Sequence, residues 1–292
     1  MKTCLRNWTA WFLRLFFCFT PVLGFGDNLV KTEQLSGDEI EELKLLFHYL
    51  FSATEFGFTL FGDKPMSLCF PPVRSIHIST RDNLFKIHKN EDIDLYNALI
   101  TFGKLKLKDS YIFITEKNKY GFPCSLFFIN KEKFFHVFNE NMDLFKKVYG
   151  QKISPESFIV SLQTKDNFID EFFEQHALLG ILLGYGRHNA ELFERRHPLF
   201  GRRKIPYTIY PKPTAPFLSL EEELCFFKKK LQLVQPNRFE FLKISKVNFA
   251  ADPESLETAQ LCKHYALIHR ELTRLFSCDN WFEILLEKLC EH

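Results

Sequence analysis

Between residues 111 and 150 the apolar side chains change their spacing, and that change limits the available folds more than any other feature of the chain. Residues 111–115 and 122–129 are rich in Ile, Phe and Leu and are separated by Lys117-Asn118-Lys119-Tyr120-Gly121, the pattern of a β-hairpin. Both runs are apolar on both faces, which predicts a hairpin lying inside a sheet. From Lys131 the period becomes 3.6. Phe134, Phe138, Phe145 and Val148 then share one stripe, and Gly150 stops it, which predicts a helix packed on that sheet.

The same reading extends along the chain. Ser36-Gly37-Asp38-Glu39 is a capping box, and Ile40, Leu43, Phe47, Leu50 and Phe51 carry its helix to about Ala53. Residues 57–61 and 66–70 flank Gly62-Asp63-Lys64-Pro65, predicting a first hairpin. A short strand near 75–79 and a helix over 92–102 follow. Ser154 caps a helix with Pro155 at its first position. Residues 168–183 form the most apolar helix, stopped at Gly184, and a charged helix restarts near Arg187. Pro198, Pro206, Pro211, Pro213 and Pro216 make residues 198–217 an extended connector. Beyond it the pattern predicts a helix over 220–233, a strand over 238–249, a helix opened by Asp252-Pro253-Glu254, and a terminal helix over 281–289. The expected fold class is α+β: a mainly antiparallel sheet of hairpins packed by several helices, with a helix-rich C-terminal half. One domain is expected over 27–292, with a sub-boundary in the connector 198–217.

Residues 1–26 carry an address. Lys2 and Arg6 precede an apolar run over 15–25, and Gly24 and Gly26 supply small residues before Asp27, as in a secretory signal peptide. The run is shorter than the ~20 residues a membrane span needs. Extending it backwards would bury Arg14, at roughly 2.5–3.5 kcal/mol. The expected product is a cleaved, exported protein of the periplasm or secreted fraction. The alternative is a protein anchored in the inner membrane by residues 11–25, and membrane contact is expected only if the leader is retained.

Cleavage would remove Lys2, Arg6 and Arg14, taking the formal charge from +2 to −1. So neutral a body lacks the basic field that nucleic-acid binding requires. The 35 Phe predict an aromatic-rich interior and also fit an AT-rich coding sequence. Of eight cysteines, Cys4 and Cys18 leave with the leader. The six that remain read mostly as buried thiols, with Cys278 and Cys290 the pair proposed for a disulfide because both fall in the terminal helical hairpin.

Several segments carry candidate chemistry. Gly184-Tyr185-Gly186-Arg187-His188-Asn189 breaks one helix and starts another, so free N–H groups beside Arg187 would suit an anion, with Asn189 as a further ligand residue. The same residues fit a tight turn with Arg187 paired to Glu191. They are not a dinucleotide fingerprint, since the third glycine is absent and a helix precedes them. His176 places an imidazole on an apolar stripe and reads either as a ligand or as a hydrogen-bonded core histidine. Arg195, Arg196, Arg202, Arg203 and Lys204 form a basic patch, suited to phosphate head groups or an acidic partner, or to a solvated loop. Glu194 and His197 make an E-x-x-H that with His188 and Glu191 could suggest ligands, but a helix puts His188 and His197 on opposite faces; Cys262, His264 and Cys278 form a loose Cys/His group whose spacing fits no standard zinc site, so no metal and no cofactor is expected. Asp63-Lys64-Pro65 reads primarily as a turn. No G-x-S-x-G elbow occurs.

With the leader, the segments Phe58-Thr59-Leu60-Phe61-Gly62-Asp63-Lys64-Pro65 and Leu183-Gly184-Tyr185-Gly186-Arg187-His188-Asn189 resemble uncharacterised exported proteins of chlamydia-like bacteria. The resemblance implies a bacterial envelope setting and assigns no catalytic residue. The expected function is therefore non-catalytic binding of a protein or small ligand in the envelope or outside the cell. A hydrolase whose site assembles from distant residues is the alternative; a deep polar pocket gathering His176, Arg187 and carboxylates would favour it.

Overall fold

The computed structural model describes residues 35–71, 76–77, 92–93, 95–117, 123–164, 172, 175–200, 220–234 and 247–291. The leader, most of the connector 198–217 and residues 235–246 lie outside them. So do Cys4 and Cys18.

Helix α1 (Gly37–His48) opens on the expected box: Ser36 Oγ accepts from Glu39 N at 3.3 Å and the Glu39 carboxylate accepts from Ser36 N at 2.8 Å. Its stripe of Leu43, Leu46, Phe47 and Leu50 is fully buried, and a π-helical turn over Tyr49–Ala53 ends it. The first predicted hairpin does not form. Residues Phe56–Phe61 are a short helix, α2, and the strand β1 (Met66–Cys69) pairs instead with β5 (Pro123–Asn130), Met66 opposite Ile129 and Cys69 opposite Leu126. A short run that is apolar on every side has no period to separate strand from buried helix. Here the helix wins because Gly57 lets the backbone pack against the Phe51 carbonyl and Leu272, where a Cβ would collide.

The second hairpin forms as expected. Strand β4 (Tyr111–Lys117) pairs antiparallel with β5, which lies between β1 and β4 in a three-stranded sheet. Strands β2 (Ile76–His77) and β3 (Asp92–Ile93) make a small antiparallel pair, followed by α3 (Leu95–Gly103). The side chains of β5 explain its apolar character on both faces. Leu126 and Phe128 enter one core, Phe127 and Ile129 the other.

Helices cover both faces. One core lies under α1, α2, α3 and the C-terminal pair α10 (Leu256–Phe276) and α11 (Trp281–Leu289). The other lies under α4 (Lys131–Glu140), α5 (Met142–Tyr149), α6 (Pro155–Thr164) and α7 (His176–Leu182). The single helix expected from Lys131 is two helices, because Asn141 leaves helical geometry and turns its amide back to the Val137 carbonyl at 2.8 Å. The phenylalanine stripe survives the break: Phe138 stacks on Phe145 at 3.8 Å and packs on Phe158 at 5.4 Å. Ser154 caps α6 by accepting from Ser157 N at 3.1 Å.

Helix α8 (Arg187–Phe200) runs through Pro198, so the connector begins later than its prolines suggest. Helix α9 (Leu220–Lys230) ends three residues before the predicted 233, and β6 (Gln232–Val234) pairs antiparallel with β7 (Phe249–Ala251). No helix among the described residues is long and apolar enough to cross a membrane.

Candidate functional site

Leu183 to Gly186 joins α7 to α8, with Gly184 at φ 76° and Gly186 at φ 83°, backbone that L side chains rarely adopt. A Cβ on Gly184 would also stand 2.5 Å from the Tyr265 hydroxyl, which donates to the Gly184 carbonyl at 2.6 Å. Into this turn projects Lys64, whose side chain is 0% exposed. Its ammonium pairs with Glu55 at 2.9 Å, donates to the Leu183 carbonyl, and lies 4.6 Å from the centre of the Tyr185 ring. Tyr185 stacks on Phe249 at 5.2 Å with its ring plane 3° from parallel and packs against both cores.

Burial lowers the Lys64 ammonium pKa against the opposing pull of Glu55. Burial also drives the Tyr185 and Tyr265 phenols well above their ordinary range, helped by the Glu55 carboxylate. A lysine so perturbed is ordinarily a candidate base or nucleophile. Here its three N–H donors are held by a carboxylate, a carbonyl and a ring face, and no surface of it meets solvent. The reachable member is Glu55, 19% exposed, at the wall of a groove of about 270 Å³. Leu68, Cys69 and Phe70 also line it, with Phe70 63% exposed. Leu183 and Tyr185 separate this groove from a smaller cavity that reaches His176 and Asn189.

The sequence-predicted residues are distributed around this turn with different tasks. Asn189 is buried and committed: its Nδ2 donates to the Tyr185 carbonyl at 3.0 Å, and its Oδ1 accepts from Asp252 N at 3.0 Å and the Thr258 hydroxyl at 3.1 Å. Arg187 points elsewhere, donating bidentately to Asp143 at 2.9 and 2.7 Å and through Nε to Glu191 at 2.8 Å. Asp143 falls below its ordinary pKa for that reason. The N–H groups at the start of α8 face an anion the chain supplies itself, since Glu257 accepts from His188 N and Asn189 N, each at 3.4 Å. His176 opens α7, its ring edge-on to Phe193 at 6.0 Å. Arg187, Asn189 and His176 therefore do not converge on one ligand position.

Glu194 of the E-x-x-H caps α7 by accepting from Ala177 N at 2.8 Å, and burial raises its pKa. Of the basic patch, Arg195 lies over the Phe227 ring at 5.2 Å and Arg196 over Phe193 at 5.5 Å; Arg202, Arg203 and Lys204 lie outside the described residues. The expected Cys278–Cys290 disulfide is absent: both thiols are free, at opposite ends of the nine-residue α11. A helix of that length separates its ends by about 13 Å, too far for a disulfide. Cys290 is buried, which pushes its thiol up to about 12. Among the described residues no three His, Cys, Asp or Glu side chains gather in metal-binding geometry.

Sequence reasoning missed Glu55, Tyr185 and Tyr265, and read Lys64 primarily as part of a turn. The available signal was an ionisable residue between two apolar runs, and it is no stronger than the turn signal that outcompeted it. Searches of protein-family models, curated proteins and solved structures return no match.

Proposed function

We propose that this is an exported, non-catalytic binding protein of a bacterial envelope or secreted fraction, and that its ligand sits in the groove between Glu55 and Phe70. One observation supports binding over catalysis: Lys64, the group best tuned for chemistry, is sealed from the groove by its own partners. What the groove offers is a carboxylate, a phenol-backed wall and an exposed aromatic ring. That set suits a partner with a hydrogen-bond donor beside an apolar group. The hydrolase alternative calls for His176, Arg187 and carboxylates in one polar pocket, and Arg187 is engaged with Asp143 and Glu191 instead.

Two experiments test this. Intact mass of the protein from separated host fractions is expected to begin at Asp27 in the soluble exported fraction. Full-length cytosolic protein would overturn export, and full-length membrane protein would select the anchored alternative. A photo-crosslinking side chain at position 70 is expected to label an envelope component, with labelling reduced by Glu55→Gln. Turnover of ester, amide or glycoside substrates that vanishes in a folded Lys64→Met variant would move the protein to the enzyme class.

A further inference from the structure

Behind Tyr185, on the side away from the groove, lies a cavity of about 130 Å³. Its room comes from small side chains: Ala190 on α8 faces Gly180 on α7, and the half-buried Ala250 on β7 also lines it. Gly180 is needed for the helix crossing itself, because a Cβ there would stand 3.0 Å from that of Ala190. The rings of His176, Tyr185 and Phe193 supply the rest of the character of the lining. Tyr185 is fixed between Lys64 and Phe249, so it is a rigid wall rather than a rotor.

The amide on this lining is already engaged. Both functional ends of the Asn189 amide already bond to Tyr185, Asp252 and Thr258, and the nearby Glu194 carboxylate is turned to the start of α7. Among the described residues no Lys, Arg, Asp or Glu lines the cavity, and burying a charged ligand unpaired is heavily disfavoured. An apolar cavity of roughly 150 Å³ accepts a benzene-sized molecule, and aromatic rings favour an aromatic guest through edge-to-face contact.

We infer that this cavity is a binding site for one uncharged single-ring aromatic compound, separate from the groove that Tyr185 walls off. Thermal unfolding of the mature protein in benzene tests it. Saturating benzene is expected to raise Tm by about 3 °C, benzoate to leave it unchanged, and Ala250→Ile, which fills the space with a strand-compatible side chain, to abolish the benzene effect. No rise with benzene, an equal rise with benzoate, or an undiminished rise in Ala250→Ile overturns the inference. Should Ala250→Ile not fold, crystals of the unaltered protein under xenon decide: xenon between Leu179 and Phe193 supports the site, and its absence there overturns it.

Discussion

Lys64 concentrates the energetics of the molecule at one side chain. A buried ion pair contributes little over an apolar substitute, but removing one partner leaves the other uncompensated. Glu55 keeps some solvent contact, so Lys64→Met is expected to cost roughly 2–4 kcal/mol in urea unfolding. Adding Glu55→Gln removes the stranded charge, and the double variant is expected to be more stable than Lys64→Met alone; equal or greater damage would show that the pair is not the reason. The pH dependence has a definite sign. Because the folded-state pKa of Lys64 lies below its ordinary 10.5, the unfolded chain holds the extra proton between those values. Wild-type stability should therefore rise relative to Lys64→Met as pH climbs from the depressed value towards 10.5. Above pH 10 the raised phenols of Tyr185 and Tyr265 act oppositely in both proteins, since the folded state keeps protons the unfolded chain has lost, and stability falls. None of this was legible in Gly62-Asp63-Lys64-Pro65, because the atoms that bury the amine belong to Leu183 and Tyr185, more than a hundred residues away.

The local elements were far more legible, and they fail or succeed for identifiable reasons. The capping box of α1 is written in four consecutive residues, and Ser36→Ala is expected to cost about 1 kcal/mol. Hydrogen bonds from Lys104 and then Ser36 hold the Glu39 carboxyl at about 2, so its contribution is present above its ordinary 4.5 and is lost as pH falls towards 2. Carboxyl-carbon NMR should place Glu39 near 2 in the wild type and higher in both Ser36→Ala and Lys104→Met. The α7–α8 turn was also written locally, in its two glycines. Gly186→Ala would combine positive φ with a Cβ 2.5 Å from the Glu257 carboxylate, and a loss of roughly 2 kcal/mol in chemical unfolding is expected. What fills the start of α8 was not local: Glu257 arrives from α10, about seventy residues on. Residues 56–61 went the other way, because four apolar side chains in six residues carry no clear period and the glycine that mattered fits a partner helix the sequence does not name.

At the scale of the whole molecule, β5 ties the two cores together, since its alternate side chains belong to opposite layers. Phe47 and Phe138 lie fully buried in different cores. Each substitution to Ala is expected to destabilise by about 3–5 kcal/mol, and each should move a single unfolding transition recorded by both far-UV and near-UV dichroism. Two separated transitions would show instead that the layers unfold independently. By itself the sequence determined the α+β class, the caps at Ser36 and Ser154, the helical stripes, the 111–130 hairpin and the turn at Gly184 and Gly186, because each of these depends on neighbours within a few residues; the helix read as opening at Asp252-Pro253-Glu254 begins instead at Leu256, after Ser255. Only the tertiary structure decided that β1 pairs with β5, that residues 56–61 coil into a helix, that Cys278 and Cys290 stay apart, and that Lys64 is sealed under Tyr185. Those outcomes depend on which distant surfaces exclude water together, and periodicity along the chain carries no record of that.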